Sequence, residues 1–258
     1  MPKVALLFLL ILGTTGLGQT PRAVEDRLLG HLSALEKSSN YGGTADYEEL
    51  DKINIKLKAD LVRLGRSAST LAYRFPRLKG KMFISTSTDG RFRVYSWDEE
   101  TGGTMHDFES VFQFKDASGK VQTWTRPSID DDSGGFFHDV FQVTTKSGPA
   151  YLAVSTGIAS SSLAVQSISA FQVKGNSLNS SVKIIRTAKG LTDSISFAYD
   201  FFSVVDHPER PIKLFKFDEG KRSFSFPVVI EDENTPQGRV TNKLITYRFN
   251  GSYFVKAD

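Results

Sequence analysis

The pattern that most constrains this fold is the alternation of apolar and polar residues after Met82, broken by turn signals at short intervals. Alternation with a period of two is typical of half-buried β-strands. Residues 82–88 and 91–97 flank Asp89-Gly90, a pair that tolerates the positive φ angles of a two-residue hairpin. Further turn segments divide the rest of the chain, at residues 117–119, 146–148, 174–176, 218–220 and 250–251. Because each connection is short, the sequence predicts a series of antiparallel hairpins.

Grouped in pairs, these hairpins predict three four-stranded units and about twelve strands in all. Four-stranded meanders in series resemble propeller blades, but closure normally takes at least about four blades. We therefore predict an α+β, mainly β fold with a sandwich-like antiparallel β-meander. An incomplete propeller is the alternative.

Before the strands, apolar residues recur at spacings of three and four, which is typical of helices with one buried face. Thr20 can cap the first helix, Pro21 suits its first position, and Thr44 can cap the second helix. We predict an antiparallel helical hairpin over residues 19–75 that packs on the sheet of residues 76–258. A helix pair that binds a partner is the alternative. The apolar positions are Val24, Leu28, Leu32, Leu35, Tyr47, Leu50, Ile53, Leu57, Leu61 and Leu64.

The first residues have the pattern of a secretory signal peptide. Lys3 precedes an unbroken apolar run over residues 4–12, and small residues follow over residues 13–18. The run is too short to span a bilayer, which takes roughly 20 apolar residues, and no later segment approaches that length. We therefore expect cleavage after residues 1–18 and a mature chain without a membrane span.

The chain contains no cysteine, so disulfides cannot stabilise an exported form. Export without disulfides is commoner in bacteria than in animal secretion, and we expect a secreted or periplasmic bacterial protein. The absence of cysteine also leaves imidazoles, carboxylates and hydroxyls to carry any chemistry. The sequence has no Gly-x-Ser-x-Gly elbow, His-Glu-x-x-His motif, phosphate loop or dinucleotide fingerprint.

The charge balance argues against a nucleic-acid partner. The chain has 32 Lys and Arg residues against 29 Asp and Glu residues, a formal net charge of +3. Bases and acids are interspersed along the sequence, whereas neutralising phosphates takes a patch of one sign. Its 40% of hydrophobic residues are enough for a folded core.

One motif occurs twice, at residues 98–107 and 130–139. Each copy has an acidic run, a hydroxyl residue, Gly-Gly, two further residues and then His-Asp, and half of the ten positions are identical. Both copies lead into a Val-Phe-Gln segment. The candidate ligand-binding residues are Trp97, Asp98, Gly102, Gly103, His106, Asp107, His138 and Asp139.

The duplicated motif has three interpretations. If the two loops lie side by side, His106 and His138 with Asp107 or Asp139 could bind a divalent metal such as Zn²⁺ or Fe²⁺. A His held by an acid could instead act as a general base. The third interpretation is ordinary turn chemistry, because acids, hydroxyls and Gly-Gly also satisfy backbone groups between strands. We expect no cofactor unless the loops bind such a metal.

The segments at residues 89–98 and 102–104 resemble a run found in uncharacterised secreted bacterial β-rich proteins of unassigned function. The last residues, 247–254, are similar to the final hairpin of those proteins. The resemblance covers most of the chain after Met82. It implies export and a β-rich fold, and brings no activity, cofactor or site.

These observations favour an exported, non-enzymatic β-rich protein that binds a ligand, a glycan or an envelope or extracellular partner through its loops. The alternative is a metal-dependent hydrolase built on the two duplicated loops. Trp97 also suits a carbohydrate-stacking surface, although core packing is the ordinary role of an indole at a strand end.

Overall fold

The computed structural model describes residues 19–39, 45–127, 133–210 and 212–257. The predicted signal segment, residues 1–18, and the predicted cap Thr44 lie outside these residues. The helices are α1 (Pro21–Ser38), α2 (Tyr47–Leu64), α3 (Ala68–Ala72), a 3-10 turn (Pro76–Leu78) and α4 (Phe202–Val205). The strands are β1 (Phe83–Thr86), β2 (Phe92–Asp98), β3 (Phe108–Lys115), β4 (Val121–Thr125), β5 (Phe136–Thr145), β6 (Gly148–Ile158), β7 (Leu163–Lys174), β8 (Ser177–Asn179), β9 (Ile185–Thr187), β10 (Gly190–Thr192), β11 (Ser194–Asp200), β12 (Lys216–Asp218), β13 (Ser223–Asp232), β14 (Thr235–Phe249) and β15 (Phe254–Lys256).

Both long helices form where the apolar spacing predicts them. The Thr20 hydroxyl accepts the N–H of Ala23 at 3.2 Å and caps α1. Asp46 caps α2, because its carboxylate accepts the N–H of Glu49 at 3.1 Å. The guanidinium of Arg27, early in α1, lies 3.4 Å from the carboxylate of Asp60, late in α2, so the two helices run antiparallel.

The fifteen strands of the described residues form three sheets. Their orders are β1-β2-β3-β4 in the first sheet, β11-β7-β6-β5 with β8 beside β7 in the second, and β10-β9-β15-β14-β13-β12 in the third. Each predicted turn joins two antiparallel neighbours, so the predicted hairpins are confirmed: β1/β2, β3/β4, β5/β6, β7/β8, β12/β13 and β14/β15.

The prediction of about twelve strands missed β9, β10 and β11. Within the described residues the chain has fifteen strands. The strand β11 extends the second sheet along β7, and β9 joins the third sheet through a parallel pairing with β15. Among the described strands, this parallel pairing is the one exception to the predicted antiparallel meander.

The helices and sheets stack in layers, which confirms the sandwich-like prediction. Alternate residues of β2 explain the stacking: Phe92 and Val94 pack toward the second sheet, whereas Tyr95 and Trp97 pack beneath α1 and α2. A third apolar core lies between the second and third sheets and includes Leu152. The first and second sheets are thus each covered on both faces by other layers.

Buried polar groups fix the segment that follows the helices onto the first sheet. Arg93 of β2 is buried, and its guanidinium donates to the carbonyls of Thr70 at 2.9 Å and Tyr73 at 2.7 Å. Because buried donors need partners, these bonds hold the chain entering Phe75 in a defined place. Among the helices in the described parts of the chain, none has the length and apolar character needed to cross a bilayer.

Candidate functional site

Both histidines of the duplicated motif line one cavity, which we call the histidine cavity. It has a volume of about 910 Å³ and lies at the end of the first and second sheets, beneath residues 74–85. Its walls also come from the beginning of β5, the end of β6 and residues 212–213. A volume of this size lies within the range of small-molecule sites.

The walls of the histidine cavity are mainly apolar and aromatic. Phe83 of β1 stacks on Phe136 of β5, with ring centroids 4.0 Å apart. Phe83 is 41% exposed and Ile212 is 54% exposed, so apolar side chains also reach solvent around this cavity. The remaining apolar lining comes from Phe75, Pro76, Met82, Ile84, Phe137, Ile158, Ala164, Tyr199 and Phe201.

In the first copy of the motif, Asp98 holds His106. The Asp98 carboxylate lies 2.5 Å from Nδ1 of the His106 ring. The backbone N–H of His106 donates to the carbonyl of Ile158 at 3.0 Å, which fastens this loop to the end of β6. The loop is closed at its base by the N–H of Glu99, which donates to the carbonyl of Asp107 at 2.9 Å.

In the second copy, His138 lies at an irregularity of β5. The pairing of β5 with β6 shifts register between Phe137 and Asp139. Among the described residues, the His138 ring has two polar partners: the Asp139 carboxylate at 2.7 Å from Nδ1, and the Thr156 hydroxyl at 3.1 Å from Nε2. Lys213 reaches the same carboxylate, with its Nζ 3.0 Å away.

The two loops lie side by side, as the metal and catalytic interpretations require. The N–H of Phe108, just after the first loop, donates to the carbonyl of Ser133 in the second at 2.8 Å. Gly134 has a φ of +66°, and a Cβ there would lie 2.3 Å from the Phe108 carbonyl oxygen. A Cβ on Gly102 would lie 1.9 Å from the Met105 carbonyl oxygen. These glycines permit close backbone approach.

The structure places the other candidate residues away from the histidine cavity. Trp97 is fully buried beneath the helices, and its indole N–H donates to Asn54 at 2.9 Å. It therefore contributes to the core and offers no stacking surface for a carbohydrate. Asp107 accepts a hydrogen bond from Thr101 at 3.1 Å within its own loop. A Cβ on Gly103 would meet nothing within 4 Å.

The second motif copy is described only from Ser133 onward, so its acidic run, residues 130–132, lies outside the described residues. Within the described ranges, no three or more His, Cys, Asp or Glu residues form a group that could hold a metal ion. Asp98 and Asp139 each hold a histidine ring. The metal-dependent interpretation therefore stays a prediction.

Basic side chains stand at the histidine cavity beside its apolar walls. Arg74, Lys79 and Lys213 line it and are exposed. Lys213 pairs with Asp139, whereas neither Arg74 nor Lys79 forms an ion pair with any residue that the structure describes. Exposed cations next to an apolar chamber attract an anionic group on a ligand.

A second, polar cleft lies on the other side of the motif loops. This serine cleft has a volume of about 510 Å³ and shares Phe137 and Ile158 with the histidine cavity. Glu99 lines it, and burial, reinforced by the nearby charges of Glu109 and Asp107, raises the pKa of its carboxyl to about 7. The hydroxyl lining comes from Ser110, Ser133, Ser155, Ser167 and Ser169.

Sequence reasoning missed most of the cavity wall. Phe136 is part of the second motif copy, but an apolar residue at this position did not indicate a ligand site. Thr156 lies opposite Phe136 only through the register of β5 and β6. Lys213 comes from a distant segment that Gln166 fixes in place, by donating to the carbonyl of Ile212 at 2.8 Å and accepting the N–H of Leu214 at 3.0 Å.

Comparison of the chain with models of protein families, with curated proteins and with solved structures finds no significant match. The resemblance to secreted bacterial proteins stays a prediction. Because a fold alone does not define an activity, we argue function from the geometry of the histidine cavity.

Proposed function

We propose that this chain is an exported protein that binds an amphipathic small molecule in the histidine cavity. The observation that carries the proposal is the size of the cavity, about 910 Å³, combined with its mainly apolar and aromatic lining. Burying apolar ligand surface there contributes roughly 25 cal/mol per Å². The apolar lining of the cavity therefore favours a ligand with an apolar body.

The polar groups indicate the other end of that molecule. Arg74 and Lys79 are exposed at the cavity and have no ion-pair partner among the described residues. A carboxylate or another anionic head group would complement them. The imidazoles of His106 and His138 supply hydrogen-bonding atoms along the wall. A long-chain carboxylate is the simplest ligand with both features.

A fluorescence titration with dansyl-undecanoic acid tests the proposal. We expect saturable binding of this anionic probe, and at least about tenfold weaker binding to Phe136→Glu and Phe83→Glu, a change of about 1.4 kcal/mol. Phe83 is partly exposed, so we expect its substitution to leave the fold intact even if Phe136→Glu perturbs it. The matched control is Leu244→Glu, because Leu244 is exposed on β14 of the third sheet.

The head group is tested with Arg74→Glu and Lys79→Glu together. We expect this double variant to bind dansyl-undecanoic acid about tenfold more weakly, and to bind the uncharged dansyl-undecanol as the wild type does. Binding that fails to saturate, or that is equal in Phe83→Glu and Leu244→Glu, would contradict the proposed site.

A further inference from the structure

The proposed ligand binding does not account for one group of hydrogen-bonded side chains in the histidine cavity. Asp139, His138 and Thr156 form a hydrogen-bonded series, with distances of 2.7 Å from carboxylate to Nδ1 and 3.1 Å from Nε2 to the Thr156 hydroxyl. All three lie on the paired strands β5 and β6. Carboxylate, imidazole and hydroxyl in this order are the parts of a nucleophilic triad.

The direction of these hydrogen bonds follows from the chemistry of the groups. An ionised carboxylate only accepts, so Nδ1 of His138 carries the proton that Asp139 accepts. In a neutral imidazole Nε2 then has a free lone pair, and the Thr156 hydroxyl donates to it. This is the arrangement in which an imidazole can take the hydroxyl proton.

The surroundings keep this arrangement in place. The His138 side chain and Thr156 are each only 7% exposed, and Phe136 lies beside the imidazole with ring centroids 5.9 Å apart. Burial raises the pKa of the Asp139 carboxyl, but hydrogen bonds from His138 and Lys213, together with the charge of Lys213, outweigh burial and leave that pKa below its ordinary value. Asp139 therefore stays ionised and orients the ring.

We infer that the histidine cavity hydrolyses carboxylic esters of its amphipathic ligands, with Thr156 as nucleophile, His138 as general base and acid, and Asp139 orienting His138. This inference rests on the proposed function, because the apolar chamber has to bind the acyl chain. The inferred activity differs from the non-enzymatic role that the sequence favours. The sequence did not indicate this activity, because no local motif marks Thr156 as a nucleophile.

The reaction needs only the ester and water. The Thr156 oxygen attacks the acyl carbon while its proton moves to Nε2 of His138; the bond to the alcohol oxygen then breaks and that alcohol takes the proton. Water next attacks the acyl-threonine ester and passes a proton to His138. The bond from the acyl carbon to the Thr156 oxygen breaks, the hydroxyl regains its proton, and the carboxylic acid leaves.

The test combines covalent labelling with turnover on the full chain. We expect a long-chain alkyl fluorophosphonate to add one adduct that peptide mapping places on Thr156, and p-nitrophenyl laurate to be hydrolysed. Thr156→Val and His138→Gln should each lose about 10²-fold or more of the hydrolysis rate, whereas Thr156→Ser should retain it because serine keeps the hydroxyl. The control is Thr246→Val, a partly buried threonine of β14 in another sheet.

Dansyl-undecanoic acid binding separates this inference from the proposed function. Wild-type protein that binds the probe but gives neither adduct nor hydrolysis would overturn the inference and leave the binding role standing. An adduct on Ser160 or Ser161, which also line the cavity, would equally overturn the role of Thr156. Loss of hydrolysis in Thr156→Val with probe binding intact would support it.

Discussion

The histidine rings at the cavity are oriented by carboxylates of their own segments. Asp98 and Asp139 hold Nδ1 of His106 and His138 at 2.5 Å and 2.7 Å. Each carboxylate thereby fixes a proton on Nδ1 of its ring. The Nε2 atom of that ring then points away from the carboxylate. Two acids of the duplicated motif, Asp98 and Asp139, thus orient the neighbouring imidazoles.

Glu99 is expected to make stability depend on pH. Its pKa rises from 4.5 to about 7 in the folded protein, so between these values the folded chain holds a proton that the unfolded chain has lost. The free energy of unfolding therefore falls as the pH rises through this window. Glu99→Gln removes this pH-dependent loss of stability. We expect the free energy of unfolding of this variant at pH 8 to exceed that of the wild type by on the order of 1–2 kcal/mol.

Urea unfolding at several pH values between about 4 and 8 measures this difference. The control is Glu231→Gln, because Glu231 is exposed on β13 of the third sheet. Parallel pH curves for Glu99→Gln and the wild type would show that Glu99 does not titrate in this window.

At the scale of elements, the motif loops are built by backbone contact. Gly134 has a φ of +66°, and its Cα faces the Phe108 carbonyl oxygen, which a Cβ would approach to 2.3 Å. Ala at this position would combine left-handed strain with a backbone clash. The same Gly-Gly step in the first copy includes Gly103, where a Cβ would meet nothing within 4 Å.

These two glycines give a matched pair of variants. We expect Gly134→Ala to lower the free energy of unfolding by about 1–2 kcal/mol or more, and to weaken dansyl-undecanoic acid binding because His138 follows on the same segment. Gly103→Ala should change both quantities little. Equal urea midpoints for the two variants would show that the loops are not held by this contact.

Element prediction worked where the signals were local. The Asp89-Gly90 turn and its counterparts set the hairpins through the conformations that their own residues allow. The strands β9 and β10 have three residues each, too few for alternation to be recognised, and β9 pairs in parallel with the distant β15. Such pairing depends on tertiary packing, which short sequence windows do not carry.

The candidate site, like the strands, was predictable only where the signal was local in the sequence. The duplication singled out His106 and His138, and both line one cavity. Thr156 and Lys213 reach His138 and Asp139 through strand register and a distant segment, which no spacing along the chain reveals. Trp97 was a candidate because an indole suits both a core and a ligand surface; its position under the helices places it in the core.

At the scale of the whole molecule, the histidine cavity results from the way the layers end. The helices cover the outer face of the first sheet, and the third sheet covers the second. At the end of the first two sheets, the cavity lies among residues 74–85, the motif loops and residues 212–213. The core layers thus hold in place the strand ends and connecting segments that line the site, as is common for binding sites.

The most direct test of the proposed binding site is a crystal structure of the protein with 12-bromododecanoic acid, in which the bromine is located by its anomalous scattering. We predict a bromine peak inside the histidine cavity, with the carboxylate toward Arg74 and Lys79. A bromine peak confined to the serine cleft or to contacts between neighbouring molecules, or no peak at saturating ligand, would contradict it.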